Sequence, residues 1–141
     1  MISTISDRAF PLIRYQTDDI LDGIDQRKSI LSFDNIWGRE KDIYSICDKS
    51  NNLILFTGLI IEHILKAIPG VHFHSFEQQN SGTLIIYLVI DNKFIFKDIV
   101  EKFYVEIIKE KPQVKIESFQ FKQISQPLRT IAGKRISNIP N

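Results

Sequence analysis

The segment Thr83–Ile90 reads TLIIYLVI, an apolar run of strand length. A strand with one face in water alternates polar and apolar residues, whereas a continuous apolar run is typical of a strand that is buried on both faces. We therefore predict that this strand lies inside a sheet that helices cover on one side. A second layer is expected to cover the other side.

Two segments have the 3.6-residue period of helices that pack against such a sheet. The first follows Thr57, a good N-cap residue, and is stopped by Pro69-Gly70. The second covers Lys93–Lys111 and is ended by Pro112. The apolar positions that we expect to face the sheet are Ile60, Ile61, Ile64, Leu65 and Ile68 in the first helix and Phe96, Ile99, Val100, Phe103, Ile107 and Ile108 in the second.

The other predicted elements are strands. Ile43–Ile46 and Leu53–Phe56 flank the turn-forming Cys47–Asn52 and predict a hairpin. Val71–Glu77 and Val114–Phe121 are the remaining predicted strands. The order of hairpin, helix, strand, strand, helix and strand predicts the α+β class, with a split βαβ (ferredoxin-like) sandwich in which two helices lie on one face of a mixed sheet.

The first 37 residues differ from this unit. They predict three short strands, Ile2–Ser6, Leu12–Gln16 and Ser29–Ile36, with a turn-rich Asp18–Arg27 before the third. Three such strands bury too little apolar surface to be stable alone, so we expect them to be the terminal strands of a larger N-terminal domain.

Between these regions, Trp37–Asp42 reads WGREKD and predicts a hinge. We place residues 1–37 in the large domain, 38–42 in the hinge and 43–141 in a small C-terminal α+β domain. The ordinary alternative for a glycine followed by mixed charges is a solvated turn.

Composition limits the possible partners. The formal net charge of +1 gives no long-range field for nucleic acid or an anionic membrane surface. The single cysteine excludes an internal disulfide and a cysteine-rich metal site. Because neither a secretory leader nor an apolar run of about 18 residues is present, we expect a cytoplasmic protein that does not cross a membrane.

Three segments occur in the order of an adenylate-forming ligase: Pro11–Ile20 (PLIRYQTDDI), the hinge and Gly133-Lys134. Together they resemble the phenylacetate-coenzyme A ligase-like branch, which includes capsule-biosynthesis ligase-like proteins. In that family the first segment closes the large domain, a "GRxDD" segment forms the hinge and a loop near the end carries the catalytic lysine. Asp18 replaces the glycine of the family's usual "TGD".

The resemblance implies a role for four residues. Asp19 corresponds to the carboxylate that binds both ribose hydroxyls of ATP, and Arg39 to an arginine suited to ribose or phosphate oxygens. Lys41 lies at the pivot of the hinge. Lys134 corresponds to the catalytic lysine that bridges the substrate carboxylate and the α-phosphate.

The resemblance also implies a function. The parent protein would convert a carboxylic acid to an acyl-adenylate with ATP and Mg²⁺, and would then transfer the acyl group to a thiol, coenzyme A. The phosphate loop and acyl pocket would belong to an N-terminal adenylation domain outside this sequence, so we expect the isolated chain to be inactive. The alternative is a non-catalytic small α+β module that binds a ligand or regulates another protein.

Other reactive residue types have simpler explanations. His72 and His74 alternate along a strand and could contribute to a metal site, but no cysteine or suitably spaced third ligand accompanies them. Cys47 has no histidine partner nearby in the sequence and is not a predicted nucleophile. We predict no metal site from this chain's own residues. The tail from Gln126 to Arg135 is expected to form an exposed loop that reaches away from the sheet.

Overall fold

The computed structural model describes residues 19–23, 35–39, 42–79, 82–129 and 138–139. The chain divides into two compact units, residues 1–41 and 42–141. In the first unit, β1 (Asp19–Asp22) and β2 (Asn35–Arg39) form a two-stranded antiparallel sheet.

One sequence prediction for this unit is wrong, because β1 lies inside the predicted turn-rich segment Asp18–Arg27. β2 contains the last two residues of the predicted strand Ser29–Ile36 and continues to Arg39. The role of residues 38–42 as a hinge remains a prediction. Aspartate and glycine favour turns locally, but pairing between two strands satisfies the backbone groups of both segments. The predicted strands Ile2–Ser6 and Leu12–Gln16 lie outside the described residues.

The second unit begins with the predicted hairpin, which is confirmed as β3 (Ile43–Cys47) and β4 (Leu53–Thr57). Asp48 closes its turn, because one carboxylate oxygen accepts hydrogen bonds from the backbone N–H groups of Ser50 and Asn52, both at 2.8 Å. The hairpin forms a two-stranded sheet of its own.

Both predicted helices are confirmed, as α1 (Gly58–Ala67) and α2 (Phe96–Glu110). The Thr57 hydroxyl caps α1 by accepting a hydrogen bond from the backbone N–H of Leu59 at 3.3 Å. Gly70, with φ at +91°, turns the chain after α1 into the next strand. A side chain there would be strained and would also collide with the ring of Phe94.

The main sheet contains β5 (Val71–Gln79), β6 (Thr83–Ile90), β7 (Phe119–Gln123) and β8 (Asn138–Ile139), in the order β7-β6-β5-β8. β5 and β6 are antiparallel, whereas β7 and β8 pair in parallel with β6 and β5. The predicted α+β class with a mixed sheet is therefore confirmed. The strand predicted over Val114–Phe121 is wrong at its start, where Ile116–Ser118 form a 3-10 turn.

The two helices, the β3–β4 hairpin and one face of this sheet form a single apolar core, to which the hairpin contributes Tyr44, Ile46 and Phe56. Its buried side chains include Ile61, Ile64, Leu65, Phe76, Leu84, Ile86, Leu88, Ile99, Phe103, Ile107 and Phe119. On the other face of β6, Ile85 is buried, whereas Tyr87 and Val89 are only half-buried. On the face of β6 that points away from the helices, the predicted burial is therefore complete only at Ile85.

Candidate functional site

The β1–β2 sheet brings two sequence-predicted site residues together. Asp19 and Arg39 are twenty residues apart in the sequence, yet they are register partners across the two strands. Directly opposed residues in an antiparallel pair have Cα atoms about 4.5 to 5.5 Å apart. The fold therefore places a carboxylate-bearing residue and a guanidinium-bearing residue at one end of this sheet.

A bulge sets this register. Ile20 is opposite Gly38 and Leu21 is opposite Ile36, so Trp37 is the extra residue of β2. Without the bulge, continuing the pairing that begins at Asp22 and Asn35 would leave Arg39 out of register with Asp19. The bulge thus decides which residue of the WGREKD segment lies opposite the aspartate.

The other two predicted site residues, Lys41 and Lys134, lie outside the described residues. β7 and β8, the described strands on either side of Lys134 in the sequence, lie at opposite edges of the main sheet. Most of the predicted exposed loop that contains Lys134 also lies outside the described residues.

The structure also contains a polar cluster that the sequence analysis missed, on the sheet face opposite the helices. The Tyr87 hydroxyl donates a hydrogen bond to the Glu77 carboxylate, and the Lys122 Nζ lies 5.5 Å from the centre of the Tyr87 ring. This hydrogen bond is the main reason that the pKa of Tyr87 is raised above its usual value. Glu77 is also the register partner of Ile139 in β8. Alternation along β5 and β6 was the signal that could have identified this cluster.

The two histidines of β5 occupy different environments. A bulge between Val71 and Phe73 contains His72, whose side chain is 61 % exposed and whose Nε2 lies 3.8 Å from Asp91 Oδ2. The side chain of His74 is 16 % exposed, and its Nε2 lies 3.9 Å from Glu62 Oε1. Burial lowers the pKa of His74, while the charge of Glu62 opposes this shift. The described residues include no group of three or more His, Cys, Asp or Glu side chains arranged for a metal ion.

A groove of about 440 Å³ separates α1 from α2. Ile64, Ala67, Ile68 and Pro69 form its apolar part. His63, Lys102, Glu106 and Glu110 form its polar part. Glu106 forms an ion pair with Lys109 at 2.6 Å.

In the described part of the chain, the helices are too short or too polar to cross a membrane. No family model matches the chain, and a search of curated proteins finds no significant match.

The fold is similar to parts of several solved structures. One is the Mycobacterium tuberculosis fatty acyl CoA synthetase, with 20 % identity and a TM-score of 0.47 over 86 % of this chain. A second is the O-succinylbenzoate coenzyme A synthetase from Bacillus subtilis in complex with AMP, with 16 % identity and a TM-score of 0.49 over 86 % of this chain. A third is Klebsiella oxytoca NpsA in complex with 3-hydroxyanthranilyl-AMSN, with 15 % identity and a TM-score of 0.40 over 84 % of this chain. The aligned regions span 22 %, 23 % and 25 % of those chains.

Proposed function

We propose that this chain is the C-terminal part of an ATP-dependent ligase that forms an acyl-adenylate from a carboxylic acid and transfers the acyl group to the thiol of coenzyme A. Within the adenylate-forming enzymes, the three ordered segments favour the phenylacetate-coenzyme A ligase-like branch. The partner that supplies the acyl pocket is the N-terminal adenylation domain of the same protein. We assign the protein to the cytoplasm, where ATP and coenzyme A are available.

The pairing of Asp19 with Arg39 is the observation that carries this proposal. A carboxylate has two acceptor oxygens that match the two adjacent hydroxyls of a ribose, and a guanidinium donates to ribose or phosphate oxygens. Asp19 and Arg39, which carry these complementary groups, are register partners across β1 and β2, although they are twenty residues apart in the sequence. A nucleotide bound at this end of the β1–β2 sheet would meet both.

Lys134 supplies the second part of the proposal. The ammonium group of a lysine neutralises negative charge that develops between a substrate carboxylate and the α-phosphate. Lys41 and its neighbours would be the pivot that delivers the lysine for adenylation and withdraws it for thiol transfer.

The residues fit ATP better than they fit a metal ion. Asp19 and Arg39 provide nucleotide-binding groups, whereas Mg²⁺ would be carried mainly by the phosphates of ATP, as is common for this ion. Bound Mg²⁺ supplies charge neutralisation at the phosphates. Coenzyme A supplies the acceptor thiol, and the second unit would help to bind it.

A paired substitution in the parent protein tests the nucleotide site. Asp19→Asn removes the charge of the proposed ribose-binding carboxylate, and a hydrogen bond to a charged group contributes about 1.5 to 3 kcal/mol. We expect the KM for ATP in acid-dependent pyrophosphate exchange to rise by about ten- to hundredfold. Asp22→Asn is the matched control, because Asp22 is also in β1 but pairs with Asn35.

Equal KM values for the two variants and the unsubstituted protein would contradict the nucleotide assignment. A gene with no adenylation domain upstream of residue 1 would instead favour the non-catalytic α+β module. The purified 141-residue chain should release no pyrophosphate from ATP in either case, so turnover by this chain would contradict the proposed division of the active site.

A further inference from the structure

The hydrogen bonds of β3 determine which way the backbone groups of β4 point. The backbone N–H and C=O of Ser45 bond to the side-chain amide of Gln78, at 2.7 and 2.9 Å, and therefore point away from β4. In an antiparallel pair, the backbone groups of two directly opposite residues either point toward each other or both point away from the partner strand. Because Leu55 is opposite Ser45 and Leu53 is opposite Cys47, the backbone groups of both leucines point away from β3.

The two edges of this hairpin differ in whether their outward-pointing backbone groups form hydrogen bonds. Along β3, Gln78 caps Ser45, and the Ser118 hydroxyl bonds both the N–H and the C=O of Cys47, at 3.0 and 3.3 Å. Along β4, no described strand or side chain takes the backbone groups of Leu53 and Leu55. Unpaired strand edges of this kind are templates for pairing with another strand.

The edge of the main sheet at β7 is protected against the addition of another strand. The hydroxyl of Tyr104 donates to the carbonyl of Phe119 at 3.2 Å, and the N–H of Phe119 bonds to the carbonyl of Ile116. The exposed Lys122 adds a charge to this edge. Charged residues and capped backbone groups are common ways to prevent strand addition.

β4 has neither protection. Its sequence LILFT contains no charge and no proline. Leu53 and Leu55 are 65 % and 68 % exposed, and Leu59 at the start of α1 is 52 % exposed. A free edge with exposed apolar side chains at alternate positions suits an extended, uncharged strand with the same alternation.

We propose that this strand is β4 of a second copy of the chain, so that two hairpins join into one four-stranded antiparallel sheet. A two-fold axis through Ile54 places Leu53 of each copy opposite Leu55 of the other. Both residues present their backbone groups at the free edge, so this register forms four main-chain hydrogen bonds. It also creates two cross-strand leucine pairs on the exposed face.

The choice of a second copy follows from β4 itself, which has the required length, alternation and free edge. Because the strand carries no charge, its antiparallel approach to another copy brings no like charges into opposition. The interface is small, since it consists of one strand from each copy with the side chains of Leu53 and Leu55. We expect a dissociation constant weaker than about 1 µM, as for other small interfaces.

Sedimentation and amide exchange test this interface in the unsubstituted 141-residue chain. Sedimentation velocity between about 10 µM and 1 mM should show a concentration-dependent shift from monomer to dimer. Over the same range, amide exchange at Leu53 and Leu55 should slow as the dimer forms. The amides of Ile54 and Phe56 should be protected at every concentration, because they bond to β3.

Leu55→Lys is the test variant. It replaces an exposed side chain of β4 and adds a charge at the proposed interface. It should weaken dimerisation by at least about tenfold, since both leucine pairs are lost. The matched control is Val105→Lys, on the exposed side of α2 where Val105 is 52 % exposed. A chain that stays monomeric at the highest concentration would overturn the proposal. So would a dimer that Leu55→Lys and Val105→Lys affect equally, or one in which exchange at Leu53 and Leu55 does not change.

Discussion

The two faces of the main sheet differ in what they contain. The face toward α1 and α2 presents Phe76, Leu84, Ile86, Leu88 and Phe119, all of them buried. The opposite face presents Glu77, Tyr87 and Lys122 beside the buried Ser75 and Ile85. The Ser75 hydroxyl is buried, and no group of the described residues forms a hydrogen bond with it. One face therefore stabilises the fold through apolar packing, whereas the other mixes packing with polar groups.

We predict that the stability of the second unit depends on its helix-covered core, whereas the proposed activity depends on Lys134. Side chains in the helix-covered core should change the free energy of unfolding and alter chemistry only through the fold. Substitution of Lys134 should instead change the proposed activity and leave the free energy of unfolding nearly unchanged. The following substitutions test that separation, from the largest expected effect to the smallest.

Phe103→Ala should cause the largest loss of stability. The Phe103 ring is fully buried and makes edge contacts with the rings of Phe119 and Phe121, at centroid distances of 5.5 and 5.0 Å. Removing a buried aromatic ring costs about 3 to 5 kcal/mol. Urea unfolding of the 141-residue chain measures this loss. Val105→Ala, on the exposed side of the same helix, should change the free energy of unfolding by less than about 0.5 kcal/mol.

Lys134→Ala should have the next largest effect, on activity alone. In the parent protein it should slow acyl-adenylate formation by about a hundredfold or more, equivalent to about 2.7 kcal/mol of transition-state stabilisation. We expect the Tm to remain close to that of the unsubstituted protein. The measurements are single-turnover adenylation and thermal unfolding. An unchanged adenylation rate would contradict the assignment of Lys134, and a large loss of Tm would give the residue a structural role.

Substitution of His74 should produce the smallest effect, a change in how the free energy of unfolding depends on pH. His74 lies on the helix-covered face of the sheet. Burial lowers its pKa below the ordinary value of 6.5, and the nearby charges are Glu62, which opposes the shift, and Lys66, which adds to it. Below pH 6.5 the unfolded chain therefore binds this proton more readily than the folded chain, so stability falls as the pH decreases toward the folded pKa.

The test compares urea unfolding of the 141-residue chain at about pH 8 and pH 5. His74→Gln should reduce the loss of stability at the lower pH. The control is His72→Gln, which replaces the more exposed histidine of the same strand. Equal pH dependence in the two variants would mean that His74 does not contribute to the acid sensitivity.

Local patterns predicted most of the second unit. Thr57, Pro69 and Pro112 marked the ends of the helices, and their periodic apolar residues identified the core positions Ile61, Leu65 and Phe103. The hairpin and β6 followed from turn residues and from a continuous apolar run. The 3-10 turn at Ile116–Ser118 was missed, because Ser118 leaves the strand pattern to bond the distant backbone of Cys47.

The candidate site was only partly predictable. The residue types and their order suggested Asp19, Arg39, Lys41 and Lys134 through the family resemblance. The sequence could not show that Asp19 and Arg39 are register partners, because the bulge at Trp37 decides that pairing. Lys41 and Lys134 remain predictions, since both lie outside the described residues.

The sequence by itself determined the helices, the hairpin and the apolar strand at the centre of the sheet, because each depends on interactions between residues close along the chain. Only the tertiary structure decided that the hairpin forms a separate sheet, that side chains cap β3 but not β4, and that the chain returns to the main sheet as β8. These features depend on hydrogen bonds between residues far apart in sequence. Several pairings can satisfy the same backbone groups, and the packing of the whole unit selects among them.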